Sequence, residues 1–74
     1  MVQEEGWNVK LKEALFEARP YVEYYERLEN LVKRLWEEST DEANFLRLLN
    51  EEIERAEEPF RTDLRIFLQK FEAL

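Results

Sequence analysis

Residues 21–36, YVEYYERLENLVKRLW, decide the fold class of this chain. Tyr21, Tyr25, Leu28, Val32 and Leu35 follow one another at steps of 4, 3, 4 and 3. That spacing lines one face of an α-helix. Tyr24, Leu31 and Trp36 widen the stripe, as happens when a helix faces more than one neighbour. Glu23 with Arg27, and Glu29 with Lys33, stand four apart with the acid first, the favourable order for ion pairs on a helix. No segment sustains period-two alternation, and no Asn-Gly or Asp-Gly pair occurs. Strands therefore have no support.

Upstream, Leu11, Leu15, Ala18 and Val22 recur at helical spacing until Pro20 interrupts them. A proline inside a helix removes a hydrogen bond and clashes with the preceding turn. Asn8 is the candidate N-cap of a helix beginning at Val9, which leaves residues 1–8 as a flexible N-terminus and 9–74 as one domain. Downstream, Glu37 to Glu42 reads as a turn. Ser39 and Glu42 have capping-box spacing, so Ser39 is expected to cap the next helix. Apolar residues then follow at Phe45, Leu46, Leu49, Ile53, Ala56 and Phe60, and beyond Pro59 at Leu64, Phe67, Phe71 and Leu74. Thr62 or Asp63 could cap a separate last helix, and Lys70 suits its negative end.

The pattern predicts an all-α bundle of three helices, at roughly 9–37, 41–57 and 60–73, the first kinked at Pro20. Pro20 and Pro59 are equally distant from the Ser39–Thr40 turn. A long hairpin kinked in both arms, dimerising into a four-helix bundle, is the alternative. Arg19 and Glu58 are poor N-cap residues, which favours kinks over breaks. Leu28, Leu31, Val32, Leu35, Leu46, Leu49, Ile53, Phe60, Leu64, Phe67 and Phe71 are the expected core. A two-helix hairpin could not cover stripes this wide, so either a third helix or a second chain must.

Composition narrows the function. Among 74 residues, 18 are acidic and 11 basic, a net charge of −7. Nucleic acid is repelled by such a surface, and an anionic membrane is disfavoured likewise. The chain has no cysteine and no histidine. Disulfides, thiol nucleophiles and histidine bases are excluded. With one glycine there is no phosphate loop, and Ser39, the only serine, has no histidine to activate it. The acidic N-terminus lacks an apolar signal region, so the cytoplasm is the default location. The lack of Cys and His, with Glu, Arg and Leu abundant, suits a thermophile or phage protein and equally an engineered chain.

The leading reading is a non-catalytic interaction or scaffold module, with no cofactor and no metal, that binds a protein partner or forms a homodimer through apolar helix faces. Phe45-Leu46-Arg47-Leu48-Leu49 resembles short helical motifs that dock in apolar grooves. Phe45, Leu48 and Leu49, with Ile66 and Trp36 off the main stripes, are the candidate partner-binding residues. Tyr21, Tyr24 and Tyr25 are expected in the core with only their hydroxyls wet. A second reading is an acidic inhibitor, antitoxin-like or a DNA mimic, covering a basic surface. A third is a magnesium-dependent all-α enzyme built on Glu51, Glu54, Glu57 and Glu58, with help from Glu13, Glu17, Glu23 or Glu26. Arg and Lys threaded among those acids favour ordinary surface pairing instead.

Overall fold

The computed structural model describes the backbone of residues 2–74 and the side chains from Val9 onward. Among the described residues the chain is all helical: α1 (Val2–Ala18), a 3-10 turn (Arg19–Tyr21), α2 (Tyr25–Glu38), α3 (Glu42–Arg55) and α4 (Phe60–Glu72). The all-α bundle is as expected, but it has four helices. Asn8 lies within α1 rather than before it. The expected flexible stretch 1–8 falls on residues whose side chains lie outside the described part.

Periodicity explains what is buried. Leu28, Val32 and Leu35 of α2 face inward with Phe45, Leu49 and Ile53 of α3 and Phe60, Leu64, Phe67 and Phe71 of α4. Leu31 and Leu46 are only partly buried at the edge of this cluster. α1 contributes Leu11, Ala14 and Leu15 and lies mainly against α4. Ala14 and Ala18 are fully buried, and their small side chains permit a close approach. The Phe45 ring meets Phe67 edge-on at 6.3 Å, and Phe71 lies 5.5 Å from Phe45. Each such ring removes enough apolar area from water to contribute about 1.5–3 kcal/mol.

At Pro20 the chain breaks, correcting the expected kink. α1 stops at Ala18, the 3-10 turn follows, and Val22 is extended at φ −109°, ψ 155°. Tyr24, the N-cap of α2, offers no side-chain cap. Two backbone donors would then be stranded at the positive end of α2. Asp63, in the first turn of α4 and only 2% exposed, takes both. Its carboxyl oxygens accept from the Glu23 amide at 3.1 and 3.2 Å and from the Tyr24 amide at 2.9 Å. Asp63 thus caps α2 from across the molecule and not its own helix, so the first predicted helix can divide and fold back.

The middle turn lies where expected, but the cap does not. Asp41, with extended backbone, is the N-cap of α3 and accepts from the Asn44 amide at 2.8 Å. The Asn44 side chain accepts in return from the Thr40 amide at 3.0 Å. Ser39 instead ends α2, its hydroxyl donating to the Trp36 carbonyl at 2.8 Å. The serine is committed to the preceding helix, which leaves the aspartate two positions on to open the next.

The chain also breaks at Pro59, so the long-hairpin alternative does not form. Ala56 is extended, at φ −72°, ψ 151°, and the Glu58–Pro59 peptide is cis. Glu58, a poor cap by residue type, nevertheless accepts from the Thr62 amide at 3.0 Å and from its hydroxyl at 2.7 Å. Arg61 reaches back to donate to the Ala56 carbonyl at 2.9 Å.

Candidate functional site

The residues chosen from sequence do not form a surface. Phe45 and Leu49 are fully buried, which removes them from any docking set. Their positions on α3 place them against α4, so the apolar spacing that resembles a docking motif is spent on the core. Leu48 and Trp36 are half-buried and pack against that core, and Ile66 is half-buried on α4.

The acidic residues are dispersed. Glu51 pairs with Arg47 at 3.0 Å. Glu52 faces Arg34 at 3.7 Å and also pairs with Arg55. Glu58 is held by Thr62, whose hydroxyl bond is the main cause of a carboxyl below its ordinary range. Among the described residues no three acidic side chains come together in a way that could hold a metal ion.

Between α2 and the start of α4 runs a groove lined by Glu26, Arg27, Asn30, Leu31, Arg34 and Phe60. Arg34 in it faces Glu38 at 3.8 Å and Glu52 at 3.7 Å. The Arg27 guanidinium lies 4.0 Å from the Phe60 ring centre, a cation–π contact that seals the core edge. Arg27 therefore does not serve the expected pair with Glu23, which precedes α2. The Glu29–Lys33 pair does form, at 3.6 Å.

The unclaimed apolar surface lies on α1 and the corner after it. Phe16 is 73% exposed, Val9 54% and Tyr21 64%. Phe16, Glu17, Arg19, Pro20 and Tyr21 line one shallow depression there. Tyr21 and Tyr24 correct the expectation of core tyrosines, because both expose their rings. Only Tyr25 packs on the core. Burial raises its hydroxyl pKa first, Glu29 adds to the rise, and the Arg19 charge opposes it. Lys70 lies 4.8 Å from the Tyr21 ring and Arg19 5.1 Å from Tyr25, so cations fix the rings at this corner.

Sequence reasoning missed Phe16. The available signal was its phase: Val9 and Phe16, seven apart, fall on the side of α1 opposite Leu11, Leu15 and Ala18. Among the described residues no helix is long and apolar enough to cross a membrane. The MJ1579 family matches residues 8–74, which takes in most of α1 and all of the corner. No curated protein and no solved structure matches the chain.

Proposed function

The chain belongs to the MJ1579 family, and we propose that it acts as a non-catalytic docking module that binds a protein through the outward face of α1 and the corner at Pro20. One observation carries this reading: the Phe16 ring is 73% exposed on a helix whose other face is fully used by the core. Leaving a phenylalanine in water forgoes about 1.5–3 kcal/mol that a partner could recover. Val9, Pro20 and Tyr21 extend the patch along the same side of the molecule. Charged residues stand beside it, including Glu17 and Arg19, the polar rim expected around an apolar contact. The residue types support a binding role over a catalytic one, since histidine and cysteine are absent. Glu51 and Glu58, already engaged by Arg47 and Thr62, favour it over the magnesium reading.

The test is site-specific photo-crosslinking in the producing cell. A benzophenone amino acid replaces Phe16 in one variant and the exposed Arg47 of α3 in another. The reading predicts a discrete adduct from position 16 and none from position 47. No adduct from position 16 would contradict it.

A further inference from the structure

We draw no further inference here: the strongest candidate, the exposed apolar face of α1 that runs from Val9 through Phe16 to the corner at Pro20 and Tyr21, belongs to the surface already described, and nothing in the structure shows what covers it.

Discussion

Two joints of this molecule are closed by opposite means. The turn between α2 and α3 is closed by its own residues: Ser39 on Trp36, Asp41 on Asn44 and Asn44 on Thr40, none more than four positions apart. The joint between α1 and α2 is closed by Asp63, some forty positions away on α4. The first can form as soon as the two helices begin to coil. The second exists only when α4 is docked. A local cap contributes to one helix end, whereas the remote cap couples the angle between α1 and α2 to the packing of the last helix. The same group also resolves the backbone problem that Pro20 creates, since the donors beyond the proline would otherwise stand unpaired beside the core.

Substitutions should separate the two joints. Asp63→Ala leaves two amides without their acceptor and should cost about 2–3 kcal/mol in urea melts, a large part of a margin near 4–11 kcal/mol for this length. Asp63→Asn keeps an acceptor for one amide but presents donors to the other, and should fall between that variant and wild type. Asp41→Ala removes a local cap and should cost about 1 kcal/mol. Ser39→Ala, losing one hydrogen bond at a wet turn, should cost about 0.5–1 kcal/mol. An Asp41→Ala loss as large as that of Asp63→Ala would erase the distinction between the joints.

The smallest effect belongs to the third joint, at Pro59. The Glu58 carboxyl is held below its ordinary value, chiefly by the Thr62 hydroxyl. Its contribution is therefore present above the unfolded-state pKa and is lost as the pH falls through the lower folded one. Thr62→Val should move the Glu58 carboxyl titration upward in an NMR pH series while the fold persists. An unmoved titration would assign the shift to the backbone amide of residue 62 and to Arg61 and Arg65 instead.

What was legible in the sequence follows the same division between local and remote. The apolar steps of α2, α3 and α4 reported their inward faces, because helical phase is a local property. Ser39 was misread because two helix ends compete for the hydroxyls of one short turn, and spacing to Glu42 does not say which end wins. Asp63 was legible only as a cap for its own helix. Its true donors, the Glu23 and Tyr24 amides, sit on a segment that α4 meets through tertiary packing. Phe45 and Leu49 looked like a docking motif because burial by α4 is not a local property either. Phe16 was passed over because it lies off the stripe of Leu11, Leu15 and Ala18, and an apolar residue off a stripe carries no local sign of its role.

Amide hydrogen exchange of Glu23 and Tyr24, in the wild-type chain and in Asp63→Ala, tests the remote cap most directly. The account predicts that both amides are protected in the wild type, and that in Asp63→Ala they exchange freely while the Asn44 amide keeps its protection relative to the global stability. Protection of Glu23 and Tyr24 undiminished in Asp63→Ala would contradict it.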